Sequence, residues 1–417
     1  MNKIKSIINF LGRPGFITGA ADDDPSAIAA FSQSGAQFGY GQLWTALFSI
    51  PLLIAIQEMA GRIGVITGRG LAGTMKEHYS RFLLYCCLFL LALANTAFIG
   101  ADLGAIAASA RLLINIPLWI LLIITGVLIL ALEIFLTYRT YSRFLMYLAF
   151  SLLAYFFTAL VIKQDWARAV RCTVIPHMSF NREFLFNIAA IIGARASPYM
   201  YAWQPSHEAE EETAQNMRGN GAPETGRYIK GMKLTTAAGL VYSGFIMFFI
   251  IITTASTIGR HGVRTIETAD QAAHALAPLA GEFASLVFAA GIIGAGLLVI
   301  PVMAGSVAYA LSEAFGWRAG LSKKLPQAWG FYGVIATAMA LGLLINLTHI
   351  KPFRMLYFAA VLNGFISPFL MVFIMLIANN KKIMGQYTNS RISNISGWII
   401  TGLSLAVPAA LIASLLQ

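Results

Sequence analysis

Long apolar stretches alternate with short polar connections along the whole 417-residue chain. A stretch of about 18 or more predominantly apolar residues can cross a lipid bilayer as a helix. The pattern predicts eleven such spans, near residues 14–35, 41–60, 83–110, 118–137, 144–162, 184–206, 232–257, 281–312, 327–348, 353–379 and 396–416. None of the polar connections is long enough for a soluble domain. We therefore expect an all-α membrane protein that forms one polytopic domain over residues 1–417.

Polar residues and a central proline interrupt the first and the sixth spans. The first interruption is the tetrapeptide DPSA at 24–27, which contains Pro25, and the second is ARASPY at 194–199, which contains Pro198. Proline removes a backbone donor and breaks the helix. Inside a membrane, the freed backbone groups are tolerated where they face protein or a wet cavity. Two breaks in the same relative position are therefore more informative than one kink.

The two breaks lie five spans apart, which predicts an internal repeat. Because five is odd, the second repeat has the opposite orientation in the membrane, and the two breaks meet near the midplane. We expect the first repeat at about 14–162, the second at about 184–379 and an additional helix at about 396–416. This organisation is typical of secondary transporters.

Composition and charge agree with the membrane assignment. The chain is 58% hydrophobic and 11% charged, with a mean hydropathy of +0.71. Its formal charge of +11 comes from residues scattered between apolar blocks, so nucleic acid is not an expected partner. Alternate connections hold 19 and nine of the 29 Lys and Arg residues, and Arg195 lies within the sixth span. The richer side is expected to face the cytoplasm. We expect an integral plasma (inner) membrane protein with a cytoplasmic N-terminus and an external C-terminus.

Three carboxylates, Asp22, Asp23 and Asp24, precede the first break. A carboxylate within a membrane indicates a functional site. Half-helix C-termini and unwound carbonyls favour a cation at such a break. Asp24, adjacent to Pro25, is the predicted ligand. Asp22 and Asp23 are expected to line the path or to pair with a cation. Phosphate-binding, hydrolase and dinucleotide motifs do not occur in the sequence, so no enzyme is predicted.

Several motifs resemble those of the natural resistance-associated macrophage protein (Nramp) family of divalent metal transporters. They are GRPGFITGAADDDPS and GAQFGYGQLW near the first span, NTAFIGADLGAIA in the third, GARASPYMY in the sixth, LAPLAGEFASLVFAAGIIGAGLL in the eighth and LNGFISPFLM in the tenth. The resemblance spans nearly the whole chain. It implies a LeuT-type fold, a monomer in the lipid bilayer, and a transported divalent cation without any resident cofactor.

The first-span motif of the family keeps its Asp and Pro here, while its Asn ligand falls on Ala27. The sixth-span Met-Pro-His aligns with Ser197, Pro198 and Tyr199, and the carbonyl ligand of the family falls on Ala194. The resemblance thus assigns the metal site to Asp24, Ala27, Ala194 and Ser197.

The third-span relay aspartate of the family matches Asp102, and the nearby glutamate is replaced by Ala105. Together with Tyr199 in place of a histidine, this weakens the expectation of proton coupling and favours uniport. The chain resembles a branch of Nramp-related magnesium transporters, which lack the methionine. Loss of a thioether also favours a hard ion such as Mg²⁺ or Mn²⁺ over softer metals. Asn363 in the tenth span is a candidate residue of the permeation path.

Arg195, beside the sixth-span break, leaves the function open. It could point away from the ion and pair with Asp22, Asp23 or Asp102. It could instead replace a coupling cation or recruit an anionic solute. The alternatives to metal transport are therefore an organic-solute carrier on the same fold and a membrane scaffold or sensor that has lost its metal site.

Overall fold

The computed structural model describes residues 10, 12–135, 150–214, 222–321, 323–348 and 350–416. Its first ten α-helices are α1 Pro14–Ala20, α2 Pro25–Phe38, α3 Trp44–Thr67, α4 Leu71–His78, α5 Arg81–Arg111, α6 Leu118–Phe135, α7 Ala154–Val161, α8 Trp166–Val174, α9 Arg182–Arg195 and α10 Pro198–Ala214. The next eight are α11 Ala222–Ser256, α12 Ala269–Ala273, α13 Ala277–Ala280, α14 Ala284–Phe315, α15 Trp329–Ile345, α16 Pro352–Ala378, α17 Lys381–Met384 and α18 Arg391–Leu416. The described part contains no strand, which confirms the all-α prediction.

Seven described stretches are long and apolar enough to cross a membrane. They are Trp44–Thr67, Arg81–Arg111, Leu118–Phe135, Glu224–His261, Ala269–Phe315, Pro352–Ala378 and Arg391–Ser414. The first and sixth predicted spans are absent from this set because each is divided into two shorter helices, and Trp329–Ile345 is a shorter apolar helix. The fifth predicted span, 144–162, lies partly outside the described residues.

Both predicted interruptions occur; the first lies a few residues before the position that the sequence suggested, and the second lies within the predicted 194–199. Helix α1 ends at Ala20 and α2 begins at Pro25, so the first non-helical segment is 21–24 rather than 24–27. Helix α9 ends at Arg195 and α10 begins at Pro198. Each proline opens the second half-helix because the first helical position has no N–H bond to lose. The three aspartates therefore lie in the break itself and are not on a helical turn.

One of the polar connections contains a helix that the hydrophobic pattern did not predict. Helix α8 lies within the connection 163–183, and the Asp165 side chain caps it by accepting a bond from the Arg168 amide. The helix has nine residues, two of them arginines, so a search for long apolar stretches does not detect it.

The packing of the helices is reciprocal between the two halves of the chain. Helix α1, from the first span, packs on α11, which is the seventh. In the same way α10, from the sixth span, packs on α3, which is the second. Helix α5 contacts α14, and these are the third span of each half. The tenth span, α16, packs on α5 of the third span. Likewise, the first described residues of the fifth span pack on α14 of the eighth span. This exchange of partners is the arrangement that an inverted repeat produces.

Small residues allow the broken spans to approach their neighbours closely. A Cβ atom on Gly19 of α1 would lie 2.7 Å from the Cα of Gly239 on α11. A Cβ atom on Gly364 of α16 would lie 2.5 Å from the carbonyl oxygen of Ala189 on α9. Close backbone approach of this kind drives helix association where lipid removes the hydrophobic contribution.

We predict that Gly364→Val destabilises the protein, because its side chain would overlap the backbone of α9. Overpacking costs about 1–3 kcal/mol, which thermal unfolding in detergent would register as a lower melting temperature. Gly402→Val is the matched control, because a Cβ atom at Gly402 on α18 meets nothing within 4 Å. Equal melting temperatures for the two variants would contradict the packing described here.

Candidate functional site

Asp24 forms the N-cap of α2 and is completely buried. Its backbone is extended (φ −70°, ψ 168°), as expected for a residue before proline. Its Oδ1 accepts a 2.7 Å hydrogen bond from the backbone N–H of Ala27. A capping carboxylate is stabilised by the partial positive charge of the helix N-terminus. Ala27, which the resemblance assigned to the metal site, thus contacts Asp24 through its amide.

Tyr199, in the first turn of α10, connects the sixth span to the first. Its hydroxyl donates to the carbonyl oxygen of Ala21 at 2.9 Å and lies 3.4 Å from Oδ2 of Asp24. The residue is completely buried. One phenol therefore contacts both the end of α1 and the start of α2. The two breaks meet, as the inverted repeat requires.

Asp102, in the middle of α5, lies against the same half-helix. The hydroxyl of Ser26, two residues after Asp24, donates to Asp102 Oδ1 at 3.0 Å. Among the described residues, Oδ2 of Asp102 has no hydrogen-bond partner, although the side chain is fully buried. Asp102 thus presents one uncompensated oxygen close to the first break. The contribution of Ser26 was not predicted from the sequence.

Ala194, Ser197 and Asn363 meet at the second break. The Ser197 hydroxyl lies 3.0 Å from the carbonyl oxygens of both Gly193 and Ala194, and it can donate to either. The amide of Asn363 on α16 donates to the Ser197 oxygen at 3.3 Å. Asn363 Oδ1 has no partner in the described part of the chain. The last turn of α9 therefore ends in carbonyl and hydroxyl oxygens with an amide oxygen nearby.

Arg195 forms a buried ion pair with Asp22, the first of the three partners that the sequence left open. The same guanidinium nitrogen, Nη1, donates to the hydroxyl of Ser243 on α11. The Ser243 oxygen lies 2.7 Å from Oδ2 of Asp22 and 2.7 Å from Oδ1 of Asp23. The sequence analysis did not predict a role for Ser243, which is recognisable there solely as a polar residue within an apolar span.

The described groups favour a hard ion. The groups that contact one another at the two breaks supply oxygen atoms of four kinds: carboxylate, hydroxyl, side-chain amide and peptide carbonyl. Oxygen ligands suit Mg²⁺, Ca²⁺ and Mn²⁺. Within the described ranges, no group of three or more His, Cys, Asp or Glu side chains is arranged as a metal cage. A cation here would therefore depend on few carboxylates and on carbonyls or water.

A cavity of about 390 Å³ opens at the far ends of the half-helices α2 and α9. Its lining includes Ala29 and Gln33 of α2, Glu183 of α9 and Tyr357 of α16. Ala29 is five residues beyond Asp24, which is about 7.5 Å along a helix. Asp24 itself has no exposed surface, so the cavity ends short of the site.

Hydrogen bonds close the opposite side, where α10 ends. The half-buried carboxylate of Glu313 on α14 accepts bonds from the amides of Gly70 and Gly73, at 2.9 and 2.8 Å, and from the Ser206 hydroxyl of α10 at 2.9 Å. Glu210 of α10 accepts a bond from Tyr309 of α14. The second half of the sixth span is thus held against α4 and α14.

Two helices broken near the same level, with reciprocal packing between the halves, define a secondary carrier of the LeuT type. The family model described as natural resistance-associated macrophage protein-like matches residues 15–414. The chain belongs to the Nramp family.

Similar sequences and structures agree with this membership. The chain is 25% identical over 414 residues to the divalent metal cation transporter MntH of Klebsiella pneumoniae (strain 342), covering 96% of this chain and 92% of the relative. It is also 25% identical to MntH of Yersinia enterocolitica over 419 residues, covering 97% and 94%. The crystal structure of the Eremococcus coleocola manganese transporter has a similar fold, with a TM-score of 0.76, 17% identity and coverage of 97% and 86%. The inward-facing structure of Mhp1, at a TM-score of 0.53, 17% identity and coverage of 97% and 88%, shares the architecture more distantly.

We predict that Tyr199→Phe lowers the free energy of unfolding by about 1–2 kcal/mol, because the carbonyl of Ala21 loses a buried donor. Thermal unfolding in detergent provides the measurement. Tyr85→Phe is the matched control, since Tyr85 is 46% exposed on the surface of α5. An identical effect of the two substitutions would show that the hydroxyl of Tyr199 contributes nothing across the break.

Proposed function

We propose that this Nramp-family protein carries a hard divalent cation, Mg²⁺ or Mn²⁺, across the membrane by alternating access, with Asp24 as the principal ligand. The observation that carries the proposal is the complete burial of Asp24 at a helix break. Oδ1 of its carboxylate accepts a bond from the Ala27 amide, and the one contact of Oδ2 among the described residues is the Tyr199 hydroxyl at 3.4 Å. An intramembrane carboxylate with a weakly engaged oxygen is suited to bind a cation.

The proposed ion is partly hydrated. The Ser197 side chain is short and ends in a hydroxyl. The backbone N–H of Ala27 donates to Asp24 and is not a ligand for a cation. Mg²⁺ loses its water reluctantly and is commonly bound through one or two carboxylates with several waters retained. The Ala194 carbonyl and the Ser197 hydroxyl would complete the coordination from the second break. The relatives named for divalent metals and for manganese support the charge class of the substrate.

The proposed cycle exposes this site alternately to the two sides. The 390 Å³ cavity approaches from one side, while Glu313 and Glu210 hold the other side closed. With the N-terminus in the cytoplasm, the cavity faces outward and the closed side faces the cytoplasm. Inward opening would then require α10 to separate from α4 and α14. We propose that a monomer is sufficient, because both breaks belong to one chain.

The organic-solute alternative is disfavoured by the position of Arg195. The Arg195 side chain is 2% exposed and forms an ion pair with Asp22, so a solute carboxylate would have to enter a closed site and approach the negative charge of Asp22. The scaffold or sensor alternative leaves the buried charges of Asp24 and Asp102 without a role. Uniport of the metal remains our proposal, because Tyr199 and Ala105 stand where the family has proton-handling residues.

We predict that Asp24→Asn reduces Mg²⁺ and Mn²⁺ uptake into proteoliposomes by at least about tenfold. Asparagine keeps an oxygen that can cap α2 but loses the charge that holds the ion. Asp165→Asn is the matched control, because Asp165 also caps a helix (α8) and is far from either break in the chain.

Uptake by Asp24→Asn at the level of the wild-type protein and of Asp165→Asn would overturn the site assignment. Uptake lost equally in both variants would point to a folding defect. Size-exclusion elution and melting temperature of the purified variants check this point.

We predict that Ser197→Met raises the ratio of Cd²⁺ to Mg²⁺ uptake, because a thioether is a soft ligand. Ser197→Leu has a side chain of similar size without sulfur and serves as the control. A higher ratio in the methionine variant alone supports a ligand position at residue 197. The same ratio in both variants would exclude it.

A further inference from the structure

Arg195 lies where three elements of the two repeats meet. It is the last residue of α9, it faces the 21–24 segment of the first break, and it contacts α11 through Ser243. Its side chain is 2% exposed, and those of Asp22, Asp23 and Ser243 are 0–2% exposed. A charge at this depth requires a specific compensating partner.

The oxygens around the guanidinium form a compact group. Nη1 contacts Oδ2 of Asp22 and the hydroxyl of Ser243, and that hydroxyl lies 2.7 Å from both Asp22 Oδ2 and Asp23 Oδ1. One carboxylate, that of Asp22, and the Ser243 hydroxyl contact this nitrogen, and the carboxylate of Asp23 lies against the same hydroxyl. Carboxylate and hydroxyl oxygens are the donors that a hard cation takes. The C-terminal end of α9 adds the partial negative charge of its dipole.

The Arg195 guanidinium forms few of the hydrogen bonds that its planar geometry allows. An arginine that serves as a clamp binds a carboxylate with two parallel N–H bonds. Here Nη1 makes the contacts, while Nε and Nη2 have no hydrogen-bond partner among the described residues. Oδ1 of Asp22 and Oδ2 of Asp23 are also without partners in the described ranges. Arg195 therefore acts at this position as a point charge held by the oxygens of Asp22 and Ser243.

We propose that the Arg195 guanidinium occupies the position of a bound alkali cation, so that the Asp22–Asp23 pair takes no monovalent cation from solution. The cation is part of the chain and stays in place when the substrate leaves. Transport would consequently proceed without alkali-cation coupling at this position. This consequence for transport rests on the proposed function, whereas the occupancy of the site does not.

The proposal is tested first by binding, with purified full-length protein in detergent and no divalent metal. Melting temperatures are compared in NaCl and in choline chloride at equal ionic strength. Arg195→Ala is expected to melt at least about 2 °C higher in NaCl, because a bound ion stabilises the folded state. Wild type and Arg195→Lys, which keep a resident charge, are expected to show no difference. Equal melting of Arg195→Ala in both salts would overturn the proposal.

Two further variants separate the proposed site from other effects. The double variant Asp22→Asn/Arg195→Ala lacks both charges and is expected to lose the response to Na⁺. A response as large as that of Arg195→Ala would place the Na⁺ elsewhere and contradict the assignment. If Arg195→Ala does not fold in choline chloride but folds in NaCl, the proposal is supported. Arg195→Gln, which retains most of the volume, repeats the comparison, and failure of both neutral variants to fold in either salt would contradict the proposal.

Transport measurements provide the second test of the proposal. In proteoliposomes at fixed pH, Mg²⁺ uptake by Arg195→Ala is expected to rise about threefold or more when Na⁺ replaces choline, while wild-type uptake is unchanged. If Na⁺ does not change Mg²⁺ uptake by Arg195→Ala, the inference that Arg195 replaces a coupled alkali cation is wrong. Absence of Mg²⁺ uptake in wild type, with the Na⁺ effect on melting retained, would reject the proposed function and leave the alkali-cation site supported.

Discussion

The buried carboxylates of the first and third spans are the constraint on which the rest of the structure depends. Asp22, Asp23, Asp24 and Asp102 have 0–2% exposed surface in a chain that is 58% hydrophobic. Each such group is costly unless it is hydrogen-bonded or paired. The donors that serve them come from α2, α9, α10 and α11. The charges at one break therefore determine how four helices from both repeats are placed.

The helix breaks make this compensation possible. An unbroken helix uses its amides internally, while the start of α2 leaves amides free to bind Asp24. The end of α1 likewise leaves the carbonyl of Ala21 free for the Tyr199 hydroxyl. The same feature that frees these groups also creates the place where an ion can be bound by oxygen. The compensation of the buried carboxylates and the capacity to bind an ion therefore both depend on the same interruption of the helix.

The sequence was sufficient to predict the helical class, the two interrupted spans and the position of Asp24 at the first break, because these depend on apolar length and on proline. The location of the first break was wrong by three residues, since proline starts a helix as readily as it interrupts one, whereas the second break lies within the predicted range. The contacts of Ser243 and Ser26 could not be predicted. They join residues 221 and 76 positions apart, and they depend on the rotation of each helix about its axis. Helix α8 was missed because its length and polarity match those of a loop.

The role of Ala21 has a consequence for how the sequence can change. Its contact with Tyr199 uses the peptide carbonyl, and its side chain is a buried methyl group. The same holds for Ala194, whose carbonyl lies next to the Ser197 hydroxyl. Natural selection on such positions acts on size and backbone shape and not on side-chain chemistry. Related chains can therefore exchange alanine for glycine or serine there while the contact persists, and a comparison of residue identities alone would underrate both positions.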